Sequence, residues 1–143
     1  MFSKACEYGI RATLFISKES RHDRRSNLKE IAKAIDSPEA FTAKILQELA
    51  RSGVVKSKKG PNGGFFVEED HRILLGDIVE AIDGDSVFRG CGLGLSECSD
   101  EKPCPLHEDF LEIREGLREM LETVTITTLT ESLDNGETFL KRF

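Results

Sequence analysis

The segment at residues 27–67, NLKEIAKAIDSPEAFTAKILQELARSGVVKSKKGPNGGFFV, decides the fold. Asn27 can cap a helix, with Glu30 three positions on to reach back to it. Leu28, Ile31, Ala32 and Ile35 fall on one face, which predicts a short helix ending near Asp36. A second helix is expected to start at once. Ser37 is placed to cap it, Pro38 suits a first helical position where no N–H is needed, and Glu39 favours the positive helix end. Phe41, Ile45, Leu46 and Leu49 make its buried stripe, and Gly53 stops it. Two short helices joined by so tight a turn form a helix-turn-helix. Two β-prone runs then flank a Gly/Pro/Asn turn, which predicts a hairpin. A hairpin directly after a helix-turn-helix is a wing, and this one carries Lys56, Lys58 and Lys59.

On the N-terminal side, Ala5, Ala12, Phe15 and Ile16 recur at helical spacing from Phe2 to about Lys18, and residues 19–26 are charged, patternless loop. On the C-terminal side, Leu74, Leu75, Ile78, Val79 and Ile82 mark a helix closed by Gly84. Residues 84–105, with four glycines and two prolines, are expected to be loop. Phe110, Ile113, Leu117, Met120 and Leu121 predict a long helix over about 105–123. Ile126, Leu129 and Leu133 predict a last short one, and a mobile tail is expected after Asp134. The fold class is mainly α with a small β-wing: a winged helix-turn-helix at 1–70, then a cysteine loop and long helix at 71–143.

A chain of 143 residues, 38% hydrophobic, can bury one core. Its longest apolar runs, such as Ala12 to Ile16, are too short to span a bilayer, and the stretch MFSKACEYGIR has no signal-peptide apolar block. No membrane association is expected, and a cytoplasmic location is. The net charge of −6 hides an asymmetry. Residues 1–67 carry 13 Lys and Arg against 7 Asp and Glu, while residues 68–143 carry 7 against 19. Only the basic half is suited to meet phosphate. The N-terminal part of a second helix in a helix-turn-helix faces base edges. Here that part offers Ser37, Glu39, Ala40, Thr42, Ala43 and Lys44, and the wing adds Lys56, Lys58, Lys59, Gly60 and Asn62. Winged helices also dock proteins, so pattern and charge leave both partners open. No Ser/His/Asp set, phosphate-binding Gly loop or acid–base carboxylate pair is visible, so catalysis is not expected.

Three of the four cysteines lie in CGLGLSECSDEKPCPLH, residues 91–107, spaced C-x6-C-x5-C-x2-H. Disulfides are rare in a cytosolic protein, so clustered thiols lean toward metal or redox chemistry. The tight C-x2–4-C knuckle of structural zinc is absent. Three thiolates in a long Gly/Pro loop suit an iron–sulfur cluster, which usually takes four protein ligands. His107 is either the fourth ligand or an ordinary histidine at a helix start. A thiol switch without metal is the alternative for the trio. Cys6, in the first helix, reads as a buried core thiol.

Taken together, the wing signature K-G-P-N-G-G-F, the L-x-D-I-V-x-A-I-D-G helix and a three-cysteine loop before a long helix resemble the Rrf2 family of bacterial transcription regulators. The likeness runs from Phe2 to about Leu133 and is greatest to the family's iron–sulfur-sensing branch. It implies a homodimer, joined by the long helix, that sets two winged heads on a palindromic operator in double-stranded DNA. It implies a cluster, [2Fe-2S] favoured over [4Fe-4S] and losable in air, that changes DNA affinity. Cys91, Cys98 and Cys104 match its thiolate ligands and His107 its fourth. Glu7 of the partner subunit matches an alternative fourth ligand. The first cysteine gap is six residues where the family commonly has five, and Ala43 replaces a glutamate that helps some members choose their targets. The family also holds members with no cluster, which leaves a regulator using its cysteines as a thiol switch or sensing a small molecule. A small iron–sulfur carrier with a protein-binding winged domain is a further alternative.

Overall fold

Helix α1 (Lys4–Arg21) is the spine of the molecule. Ser3 caps it, its Oγ accepting from the Cys6 amide at 3.0 Å. A computed structural model describes residues 1–141. After α1 come α2 (Leu28–Ala34), α3 (Glu39–Arg51), the hairpin β1 (Lys56–Lys58) and β2 (Gly64–Phe66), then α4 (Leu75–Asp83), α5 (Ser86–Arg89), α6 (His107–Thr123) and α7 (Ile126–Asp134). The mainly helical fold with a two-stranded wing is the class the patterning predicts.

The core forms around the apolar face of α1. Ala12, Leu14 and Ile16 pack with Ile31 of α2 and Ile35 just after it, with Ile45, Leu46 and Leu49 of α3, and with Ile78 and Ile126. Each Leu or Ile among them contributes roughly 1.5–3 kcal/mol on full burial. A second cluster, Cys6, Leu75, Val79 and Leu121, joins the start of α1 to α4 and α6. The core therefore crosses residue 70, and α1 packs on elements from both halves. Two backbone bonds stitch the C-terminal helices together: Leu75 N–H to the Val124 carbonyl and Ile126 N–H to the Ile73 carbonyl, each 2.9 Å.

Asn27 and Glu30 form the anticipated capping box, with the Glu30 amide donating to Asn27 Oδ1 at 2.9 Å. Three local expectations change. Helix α1 runs past Lys18 to Arg21, where Arg21 bonds Asp134 of α7 at 2.9 Å. Ser37 does not cap α3. Its amide donates to the Ala32 carbonyl at 2.9 Å, so it finishes α2, and Pro38 is the residue that opens α3. A one-turn helix, α5, interrupts the expected loop after Gly84.

The wing pairs antiparallel, with Lys56 opposite Phe66, Ser57 opposite Phe65 and Lys58 opposite Gly64. Ser26 adds a third rung: its amide donates to the Phe65 carbonyl at 3.1 Å, and the Phe65 amide donates back at 2.8 Å. Gly64 sits at φ 141°, and a β-carbon there would lie 2.9 Å from the Ser26 carbonyl oxygen, so this rung requires glycine.

Candidate nucleic-acid interface and cysteine pocket

The exposed N-terminal turns of α3 and the outer face of the wing are the two candidate surfaces. Glu39, Ala40 and Lys44 are exposed on α3, while Ser37 and Ala43 are half-buried. Lys56, Lys58, Lys59, Gly60 and Asn62 are exposed on the wing. Alternation along β1 puts Lys56 and Lys58 on one face. Thr42 must be removed from the set expected to face bases. It is 0% exposed, and its Oγ1 donates to the Pro38 carbonyl at 2.9 Å. The signal was present in the sequence: 42, 45, 46 and 49 is the i, i+3, i+4, i+7 series, so Thr42 begins the buried stripe. Phe41 lies beside it, half-buried, with its ring edge-on to Tyr8.

A residue the sequence reading missed supports the wing. Arg25 Nη1 donates to the Asn62 carbonyl at 3.1 Å, and its guanidinium lies 5.4 Å from the centre of the Phe66 ring. Nothing in the local sequence separates Arg25 from its charged neighbours.

Cys91, Cys98, Cys104 and His107 line one small pocket, closed by Phe110 and Arg114 of α6. The donors meet in two pairs. Cys91 Sγ lies 3.8 Å from Cys104 Sγ, and Cys98 Sγ lies 3.5 Å from His107 Nδ1. His107 is 6% exposed as the first residue of α6, and its Nε2 lies 2.8 Å from Asp100 Oδ1. That carboxylate favours the Nε2–H tautomer, which turns the Nδ1 lone pair toward Cys98. Arg114, also missed, ties the loop to α6: it donates to the Gly90 carbonyl at 3.0 Å and reaches Cys98 Sγ at 3.7 Å. Backbone N–H groups of Leu93 and then Leu95 hold the Cys91 thiol below its ordinary value, with burial opposing. Cys6 is the opposite case. Burial, then the charge of Asp83, push its thiol up to about 12. It is a free, buried core cysteine, as its setting in the first helix suggested.

Among the described residues no group of three or more His, Cys, Asp and Glu side chains is arranged as a metal-holding set. The pocket fits an iron–sulfur cluster in the chemistry of its donors, three thiols and an imidazole carrying a carboxylate on its far nitrogen. Glu7 does not line the pocket; it lies 3.6 Å from Lys4 on the exposed face of α1.

Residues 2–132 match the sequence profile of the Rrf2 family, described as an iron-dependent transcriptional regulator. The chain belongs to the Rrf2 family. A protein of Aquifex aeolicus (strain VF5), named an HTH-type transcriptional regulator, is 32% identical over 132 residues covering 90% of each chain. The HTH-type transcriptional regulator CymR of Bacillus subtilis (strain 168) is 27% identical, over 91% of this chain and 89% of its own. The solved structure of T. potens IscR superposes with a TM-score of 0.75 at 18% identity, covering 99% of this chain and 93% of that one, and so shows the same fold. Rrf2 proteins are DNA-binding transcriptional regulators rather than enzymes, and this chain is of that kind. Among the described residues no helix is long and apolar enough to cross a membrane.

Proposed function

We propose that this Rrf2 regulator is a homodimer whose affinity for a palindromic operator is set by an iron–sulfur cluster on Cys91, Cys98, Cys104 and His107. The observation that carries this reading is the convergence of those four side chains, 16 positions apart at the extremes, on one pocket. The family's description as iron-dependent supports it. When bound, such a cluster supplies an electron-accepting centre tuned by charge and hydrogen bonding around its sulfurs. The chain's own residues do the rest. Asp100 orients the imidazole, Arg114 donates to Cys98, the amides of Leu93 and Leu95 favour the Cys91 thiolate, and Phe110 lines one side of the pocket. His107 is preferred over Glu7 of the partner subunit because its Nδ1 already faces a cysteine, and a mixed Cys/His set favours [2Fe-2S] over [4Fe-4S].

Helix α6 gives the pocket a route to DNA. It begins at His107 and also bears an apolar stripe that a single chain leaves uncovered: Phe110, Ile113 and Met120 are exposed. A second α6 packed there sets the distance between two winged heads, and heads about one helical turn apart, roughly 34–36 Å, fit successive major grooves. Residues 1–70 then read DNA, and residues 71–143 hold the pocket and the dimer contact. A coupling of roughly 1–3 kcal/mol between loaded and empty forms changes DNA affinity about 5- to 150-fold, the usual size of such effects.

The test is the visible spectrum and the iron and sulfide content of anaerobically prepared protein, beside Cys98→Ala. The expected result is a coloured wild type and a colourless, folded, dimeric variant. Equal spectra count against the ligand assignment. The 3.8 Å approach of Cys91 and Cys104 favours one second reading, a metal-free thiol switch between that pair. Colourless wild-type protein whose DNA affinity changes reversibly with a dithiol reductant selects it.

A further inference from the structure

Among the basic side chains of residues 21–25, three are occupied by carboxylates. Arg21 and His22 both meet Asp134, at 2.9 and 3.2 Å, and Arg24 bonds Glu19 at 2.6 Å. Arg25 meets no carboxylate among the described residues. It spans the wing instead, with its guanidinium over Phe66 of β2 and its Nη1 on the Asn62 carbonyl at the hairpin tip.

Two strands of three residues make a hairpin that is marginal by itself. The Ser26 rung holds β2 at Phe65, and within the turn the Gly63 amide donates to the Gly60 carbonyl at 2.9 Å. The bond from Arg25 is the one that reaches the tip from outside the hairpin among the described residues. The tip carries Lys58 and Lys59, whose charges meet phosphate only if the turn holds its pose.

We propose that Arg25 is a positioning residue for the DNA-binding wing: seated on the Phe66 ring, it fixes the Asn62 carbonyl and so the pose of Lys58 and Lys59. Arg25 acts through the turn and does not itself neutralise a phosphate. This rests on the wing reaching DNA, which the family supports, and adds what holds it there.

The experiment uses full-length protein and a fluorescein-labelled mixed-sequence duplex of about 30 bp, long enough for two half-sites, titrated by anisotropy at several KCl concentrations. Arg25→Gln is expected to lose about five- to tenfold in affinity, with the slope of log affinity against log salt unchanged. Lys58→Gln is expected to lower that slope by about 1. Arg25→Lys recovers only part of the loss, because an ammonium can reach the carbonyl but lacks the flat guanidinium that stacks on Phe66. A slope that falls by about 1 in Arg25→Gln makes Arg25 a phosphate contact and overturns the proposal, as does wild-type affinity. Amide exchange in the DNA-free protein decides the point separately. The Gly63 and Phe65 amides should exchange about tenfold faster in Arg25→Gln at unchanged Tm. Unchanged exchange overturns the clamp. Wild-type protein that binds no duplex, with exchange that still speeds up, overturns the DNA reading of the wing and leaves the clamp standing.

Discussion

His107 Nδ1 lies 3.5 Å from Cys98 Sγ while its other ring nitrogen is held 2.8 Å from Asp100. The carboxylate is 93% exposed and the imidazole 5%, so the ring is oriented from the solvent edge of its own pocket. Partners of this kind typically change metal affinity about 10- to 100-fold. Asp100→Ala is therefore expected to lower iron retention after anaerobic desalting toward the smaller end of that range, and His107→Ala to lower it further. Iron and sulfide contents equal to wild type in both variants would remove His107 from the ligand set.

The cysteines are predicted to react in a definite order in metal-free, reduced protein. The thiolate is the nucleophile, and Cys91 is held low by backbone amides while Cys6 is pushed up to about 12. Iodoacetamide followed by peptide mass spectrometry should label Cys91 first and Cys6 last at neutral pH. The rate at Cys91 should rise with pH and level off below the pH at which an ordinary thiol does. Faster labelling at Cys6 than at Cys91 contradicts the geometry of the pocket.

Thr42 and Lys58 separate packing from recognition. Thr42→Val keeps the shape of a fully buried side chain and removes its bond to the Pro38 carbonyl, which the Thr42 amide also serves. A loss of about 1 kcal/mol in urea denaturation is expected, without a change in which duplex sequences are preferred. Lys58→Gln should leave stability alone and weaken binding to all duplexes alike. A changed sequence preference in Thr42→Val would return that residue to the reading surface.

The apolar stripe of α6 is tested by charge. Ile113 is 59% exposed in a single chain, so Ile113→Glu leaves the fold of one protomer intact and buries a carboxylate only if a second copy covers the helix. Sedimentation should show dimer for wild type and monomer for the variant, with unchanged far-UV circular dichroism. A variant that stays dimeric excludes Ile113 from the contact.

Asp134 locks α7 to the end of α1. Its carboxyl is held below the usual range, first by the bond from His22 and then by Arg21, with burial acting against them. A depressed carboxyl pKa contributes stability that is full above the unfolded value of about 3.9 and is lost as pH falls through the folded value. Asp134→Asn should lower Tm slightly at pH 6, and the difference should vanish near pH 2. A difference that persists in acid would assign the effect to shape rather than charge. The pair is surface-exposed, so high salt should shrink it.

What was legible in the sequence is what neighbouring residues decide among themselves. Asn27 and Glu30 close a capping box three positions apart, the turn at Gly60 to Gly64 folds a hairpin, and apolar periodicity marks every helix from α1 to α7 except the one-turn α5. The cysteine spacing singled out Cys91, Cys98 and Cys104, the family resemblance added His107, and all four line the pocket. Helix ends were less legible where a distant partner extends them, as Asp134 does for Arg21. Only the tertiary structure decided which faces are covered and which polar groups meet across the chain. Arg25 reaches Asn62 across 37 positions, and Arg114 reaches Cys98 across 16. Capping, turns and periodicity act over a few residues and are written locally, whereas burial and long-range hydrogen bonds depend on which segments the hydrophobic core brings side by side.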